Sequence, residues 1–130
     1  MLSSDQPAAA SGVVLVVEDD FDVLNAIAAI LEDEGYEVLR AANGAEALGK
    51  LADRQGQCDL ILLDLLMPVM NGWDFRHKQR QMPAFAGIPV VLMSAGAHMA
   101  TVSGDLDAAG YLTKPVEMTD LLGVARRHAQ

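Results

Sequence analysis

Apolar residues in this chain fall into short unbroken runs, among them Val13–Val17, Leu60–Leu63 and Val90–Met93. Each run is too short for a free-standing helix and lacks the alternation of a half-buried strand. Each therefore reads as a strand buried on both faces. Between the runs the period changes. Leu24, Ile27, Ala28 and Leu31 recur at helical spacing, with Gly35 as a stop. Tyr36–Ala42 reads as a second strand. Asn43, with Glu46 three residues on, has the pattern of a capping box and opens a helix through about Arg54, with Ala47, Leu48 and Leu51 facing inward. After Leu60–Leu63 comes a Pro- and Gly-bearing loop, Met67 to Gly72. A helix from about Trp73 to Gln79 follows, expected to carry Arg and Lys on its outer side. Ile88–Met93, led by Pro89, is the next strand. The segment Ala97–Ala109 is weak, because Thr101, Val102, Ser103 and Gly104 in succession are poor helix formers. A short strand, Gly110–Thr113, precedes a last helix from about Met118 to Ala129. That helix is led by Glu117, and Arg126, Arg127 and His128 complement its dipole.

Five strand–helix units in alternation imply an α/β fold, a doubly wound parallel sheet covered by helices on both faces. Ligands of such sheets bind beyond the carboxyl ends of the strands. The polar residues of this chain gather there. Val13–Val17 runs into Glu18, Asp19 and Asp20; Leu60–Leu63 into Asp64; Val90–Met93 into Ser94; and Gly110–Thr113 into Lys114 and Pro115. An acid pair, a lone acid, a hydroxyl and an ammonium presented together suit Mg²⁺-assisted phosphoryl transfer onto a carboxylate.

Composition narrows the function classes. The 130 residues are enough for one domain with an ordinary core, and 52% of them are hydrophobic. No apolar run approaches the length of a membrane span. A formal net charge of −9 argues against binding nucleic acid, whose phosphates would be repelled. The single Cys58 excludes an internal disulfide and fits a reducing, cytoplasmic setting. Residues 1–12, rich in Ser, Ala, Pro and Gln, read as a flexible tail, and the domain proper as 13–130. No effector domain is expected after the last helix.

Four motifs, Val16-Val17-Glu18-Asp19-Asp20, Leu63-Asp64-Leu65-Leu66-Met67-Pro68 with Asn71-Gly72, Met93-Ser94-Ala95, and Tyr111-Leu112-Thr113-Lys114-Pro115, stand in this order. The chain thereby resembles, from about Val13 to Ala129, the receiver domains of two-component response regulators. The resemblance implies a flavodoxin-like fold of strand order 2-1-3-4-5, with Asp64 as phosphoacceptor. It implies that Glu18, Asp19 and Asp64, with the backbone carbonyl of Leu66, hold Mg²⁺ or Mn²⁺. Asp19 is then the better candidate for direct ligation and Glu18 for contact through water. Ser94 and Lys114 would bind the phosphoryl oxygens, and Ser94 and Tyr111 would form the switch. A cis Lys114–Pro115 bond is also implied, and the small Ala95 would leave room for a bulky donor. The implied partners are a histidine kinase or phosphotransfer protein, a separate effector and a phosphorylation-dependent second copy, in the cytoplasm of a bacterium. Independent substrate turnover is not implied.

Other readings of single residues stay open at this point. Asp64 could cap the next helix, and Asp20 reads as a helix cap rather than a ligand. Tyr111 could be plain core. Phe21, Trp73, Phe75 and Phe85 read as core or cover. His77, His98 and His128 show no ligand spacing, and Cys58 reads as inert. Asn71 stands where the family usually has Asp but supports the same turn. A haloacid-dehalogenase-like phosphatase would need a second Asp two residues after Asp64, where Leu66 stands. A nucleotide- or flavin-binding module would need glycine rather than Glu18-Asp19-Asp20-Phe21 at the first turn. A receiver fragment of a hybrid kinase or multidomain regulator, and a non-phosphorylated pseudo-receiver, remain as alternatives.

Overall fold

The computed structural model describes residues 12–96 and 99–129. Five strands, β1 (Val13–Val17), β2 (Glu37–Ala41), β3 (Leu60–Asp64), β4 (Val90–Ser94) and β5 (Gly110–Thr113), alternate with five helices. These are α1 (Phe21–Asp33), α2 (Gly44–Asp53), α3 (Gly72–Arg80), α4 (Met99–Asp105) and α5 (Met118–His128), with one further helical turn at Pro83–Ala86. The sheet has the order β2-β1-β3-β4-β5 and every pairing is parallel.

Successive side chains of a strand point to opposite faces, and both faces here are covered. Val14, Val16, Leu60, Leu62, Val91 and Met93 pack with Leu24, Ile27 and Leu31 of α1 and with Leu121 and Ala125 of α5. Leu15, Val17, Ile61, Leu63, Val90 and Leu92 pack on the other side with Ala47 and Leu51 of α2, Phe75 of α3 and Met99 of α4. The central strand β3 is buried at all five positions. This double coverage is why the strands are written as continuous apolar runs.

The caps lie where the pattern puts them. Asp20 accepts from the backbone N–H groups of Asp22 and Val23 at 3.0 and 3.2 Å and so opens α1. Asn43 accepts from Glu46 N at 2.9 Å, and the Glu46 carboxylate reaches back to Ala42 N at 3.0 Å. Asn71, read from the sequence only as a turn residue, also opens α3 by accepting from Asp74 N at 2.9 Å. The bonds from Asp22, Val23, Glu46 and Asp74 each satisfy an N–H that the first helical turn leaves without a partner, and the bond from Ala42 ties down the chain just before α2.

Several expectations are corrected. Strand β2 begins one residue after Tyr36, and β4 begins at Val90 rather than Ile88. The turn Pro83–Ala86 has too few residues to show a period, so nothing in the pattern announced it. In the weak segment, only Met99–Asp105 is helical among the described residues. Phe75 and Phe85 are core, but Phe21 is 71% exposed and Trp73 40% exposed, so neither is a core residue. The main departure is in α3. Its buried stripe is Gly72, Phe75, Arg76 and Gln79, so Arg76 points inward and not outward as its charge suggested. Residues 1–11, Ala97, His98 and Gln130 lie outside the described residues, and with them most of the expected tail and the last residue of the expected domain.

Two glycines separate helix propensity from packing. Gly49 lies in α2 with nothing within 4 Å of the place a Cβ would occupy, so Gly49→Ala should stabilise the protein by about 0.5–1 kcal/mol. A Cβ on Gly72 would stand 2.8 Å from the carbonyl oxygen of Asp64 and 2.8 Å from Leu65 Cα. Gly72→Ala should therefore destabilise by about 1–3 kcal/mol. Urea denaturation of the two variants checks both signs.

Candidate functional site

Strand β1 has β2 on one side and β3 on the other, so the chain leaves the ends of β1 and β3 in diverging directions. A cleft opens where the strand order reverses. Of the sequence-predicted residues, Glu18, Asp19, Asp64, Leu66, Ser94 and Lys114 line one cavity there, of about 310 Å³, joined by Asp20 and Ala95. Strand geometry does the positioning. Glu18 follows β1 directly, its N–H bonded to Ala41 O at 3.0 Å. Asp64 and Ser94 are the last residues of β3 and β4. Lys114 follows β5, its N–H bonded to Ser94 O at 3.0 Å.

Charge is crowded into this cleft. Glu18, Asp19 and Asp64 each offer a carboxylate oxygen, and the three lie within 4.8 Å of one another. Glu18 and Asp64 are buried, at 1% and 4% exposure, while Asp19 is exposed. The Lys114 ammonium lies 2.5 Å from Glu18 Oε1 and 3.4 Å from Asp64 Oδ2. The nearer contact is a charge-assisted pair, and it favours the charged form of Lys114. Burial pushes the Asp64 carboxyl up to about 7, and the neighbouring Glu18 adds to the rise. Lys114 and the Leu66 N–H, 3.3 Å from Asp64 Oδ1, pull it back only in part. Burial also works against the Lys114 charge, but Glu18 and Asp64 together outweigh it and hold the ammonium protonated above its ordinary range.

The remaining groups are oriented by the backbone. Ser94 is buried, and its Oγ accepts from Gly96 N at 3.1 Å, a contact no sequence signal announced. Asp20 is taken up by its cap on α1, and its own N–H donates to Glu18 Oε2 at 3.1 Å. The Leu66 side chain is 69% exposed at the rim. Tyr111 stands apart from the cleft, 44% exposed, in a neighbouring groove of about 510 Å³ that Lys114 also borders. It is therefore not plain core. The Lys114–Pro115 bond is cis. Cys58 is half-buried, with its sulfur 3.3 Å from Leu60 O, and burial pushes its thiol up, away from the reactive thiolate. His77 pairs with Gln81 at 3.2 Å.

The donor set suits a hard divalent cation. Carboxylate oxygens are the ligands Mg²⁺ selects, and two of these are buried with only one ammonium to balance them. Glu18, Asp19 and Asp64 form the one such group of acidic or metal-ligating side chains among the described residues.

Comparison with known proteins places this arrangement. Residues 14–126 match the family model of the response regulator receiver domain. The sensory transduction protein RegX3 of Mycobacterium tuberculosis is 35% identical over 115 residues, covering 87% of this chain and 48% of RegX3. The chain spans about half, or less, of the length of the curated relatives it matches. Among solved structures, the chemotaxis response regulator CheY4 of Vibrio cholerae superimposes with a TM-score of 0.81 at 30% identity, covering 90% of this chain and 98% of CheY4. The receiver domain of a signal transduction histidine kinase from Syntrophus aciditrophicus gives 0.79 at 31% identity, covering 89% and 88%. Domains of this kind generally bind Mg²⁺ and work between histidine kinases and effectors. With the motifs, the strand order and the family match in agreement, the chain belongs to the response regulator receiver domain family.

Proposed function

We propose that this domain is a phosphoacceptor switch, in which Asp64 takes a phosphoryl group from a histidine kinase or phosphotransfer protein. The observation that carries the reading is the convergence of Glu18, Asp19, Asp64, Ser94 and Lys114 in one cleft. An Asp64 oxygen attacks phosphorus, the P–N bond to the donor imidazole breaks, and the imidazole leaves with the electron pair. Lys114 and the Ser94 hydroxyl then meet the charge on the phosphoryl oxygens. Glu18, Asp19 and Asp64, with the Leu66 carbonyl, would hold Mg²⁺ or Mn²⁺, which when bound neutralises the carboxylates and the incoming phosphoryl charge. A carboxyl raised to about 7 is only partly ionised at neutral pH, so cation binding also restores the nucleophile. The domain is its own stoichiometric substrate and does not turn over an independent one.

The output follows from the same geometry. Drawing the Ser94 hydroxyl toward a phosphoryl group releases its bond from Gly96 N and frees space beside β4 for the Tyr111 ring. The face made by α4, β5 and α5 is thereby reshaped and is read by a partner protein or a second copy of the chain. A shift between two pre-existing states from 1:99 to 99:1 needs about 5.5 kcal/mol of differential stabilisation. The short α4, with Thr101, Val102, Ser103 and Gly104 in it, makes that face easy to remodel. A second reading, a receiver unit inside a longer regulator or kinase, is favoured by the length of the relatives. In that case the reader of the face is another domain of the same protein. A pseudo-receiver is disfavoured by the complete set of charged groups.

Acetyl phosphate with Mg²⁺ should add one phosphoryl group to the protein, at Asp64. Asp64→Asn and removal of Mg²⁺ should each abolish it by intact mass, and labelling that survives in Asp64→Asn would move the acceptor elsewhere.

Millimolar Mg²⁺ should raise the melting temperature by several degrees, since a ligand at a hundred times its dissociation constant stabilises by about 2.7 kcal/mol. Asp19→Ala should lose most of this response; an unchanged response would remove Asp19 from the ligand set.

The pH dependence has a definite sign. Asp64 titrates near 7 in the folded protein and near 3.8 when unperturbed, so the native state binds the extra proton. Its contribution is present below about 4 and is lost as pH rises toward 7. In EDTA, Asp64→Asn should exceed wild type in stability at pH 8. The gap should shrink by on the order of 2 kcal/mol by pH 5.5, as urea titrations will report.

A further inference from the structure

Arg76 breaks the rule for buried charges. It is 6% exposed, and none of the ion pairs among the described residues involves it. A buried guanidinium without a carboxylate must find other acceptors. Arg76 Nε donates to Leu106 O at 2.9 Å, Nη2 to Asp107 O at 2.8 Å and Nη1 to Gln79 Oε1 at 2.8 Å. Gln79, itself fully buried, donates to Phe85 O at 2.9 Å and Ile88 O at 3.1 Å. Two adjacent positions on the inward stripe of α3 thus bind the chain before β4 and the chain after α4.

The second of these ends is under strain. Asp107 N bonds to Gly104 O at 3.1 Å and Ala108 N to Ser103 O at 2.9 Å, the paired bonds that close a helix through a left-handed residue. That residue is Asp107, with φ 51°, where glycine is the unstrained choice. The two carbonyls Arg76 holds are those of Asp107 and its predecessor. Both lie just past the end of α4, and the charge of the nearby Asp107 carboxylate also favours the guanidinium. At the opposite end of α3, Gly72 N donates to Leu65 O at 3.0 Å, one residue past the acceptor Asp64.

We propose that Arg76 is a positioning residue that clamps the carboxyl end of α4 to α3, so that α4 responds to phosphorylation by pivoting about that end. Residues Leu106–Ala109 are the fixed point, and movement is concentrated at Met99–Val102. The clamp stands on its own geometry; the pivot rests on the phosphoacceptor reading.

Amide hydrogen exchange of the full chain tests both parts, because the N–H groups of Leu106, Asp107, Ala108 and Ala109 are all hydrogen-bonded and report local opening. Without any phosphoryl mimic, Arg76→Met should speed exchange at Leu106–Ala109 at least tenfold. Arg76→Lys, which keeps the charge but reaches one carbonyl at a time, should speed it about threefold. Arg80→Met, an exposed neighbour on the same helix, should leave it unchanged. With Mg²⁺ and beryllofluoride, wild type should change at Met99–Val102 and stay fixed at Leu106–Ala109, whereas Arg76→Met should change at both. Wild-type exchange rates at Leu106–Ala109 in Arg76→Met would overturn the clamp. If Arg76→Met does not fold, the Arg76→Lys rates decide it in the same way. Equal beryllofluoride responses at the two ends of α4 in wild type would overturn the pivot. Failure of beryllofluoride to raise the melting temperature would instead refute the phosphoacceptor reading, and the mimic-free rates would still decide the clamp.

Discussion

Three carboxylates are gathered within 4.8 Å of one another at the rim of an apolar sheet, and one ammonium stands among them. Much else in the molecule is arranged around that crowding. Like charges at this distance repel strongly in a medium poorer than water at screening them, and burial of Glu18 and Asp64 removes most of the solvent that would help. The weakened acidity of Asp64 and the firmly protonated Lys114 are two sides of one imbalance. A site in this condition would be stabilised by a cation, which is the physical basis of the proposed phosphoacceptor role.

Holding such groups together requires a rigid frame, and the parallel sheet supplies it. Glu18, Asp64, Ser94 and Lys114 sit at, or one residue past, the ends of four adjacent strands, so their spacing is set by strand pairing and not by flexible loops. The loop after β3 is closed down as tightly. Gly72 admits no side chain because α3 begins in contact with the Asp64 backbone. The ion pairs elsewhere, Arg40–Glu32, Arg54–Glu37 and Arg126–Glu34, are exposed and of the kind that adds little to stability.

Helix α3 joins this rigid end to the most weakly built helix. Its amino end abuts the end of β3 at Asp64, and its inward arginine and glutamine hold the backbone on either side of β4 and α4. An apolar residue in place of Arg76 would pack but would leave the carbonyls of Leu106 and Asp107 without this donor. Polar contacts from α3 hold the chain at the carboxyl end of α4, which under the proposed switch leaves the amino end of that short helix to respond.

The chain's pattern by itself determined the five strands, their burial on both faces, the caps at Asp20 and Asn43, and the polar residues at the strand ends. These follow from local period and local hydrogen bonding, which adjacent residues carry in full. The strand order and the roles within the site were legible only through the family resemblance of four motifs, since spacing alone cannot say which strands pair. Only the tertiary structure decided where Arg76, Phe21 and Tyr111 face. A charged residue in a helix reads as solvated unless acceptors arrive from elsewhere, and those for Arg76 come from carbonyls thirty residues away. The turn Pro83–Ala86 was hidden for the same reason, because it is held by Gln79 and by no period of its own. The acidity of Asp64 likewise depends on groups from three strands meeting at one point, a distance that no segment of the sequence contains.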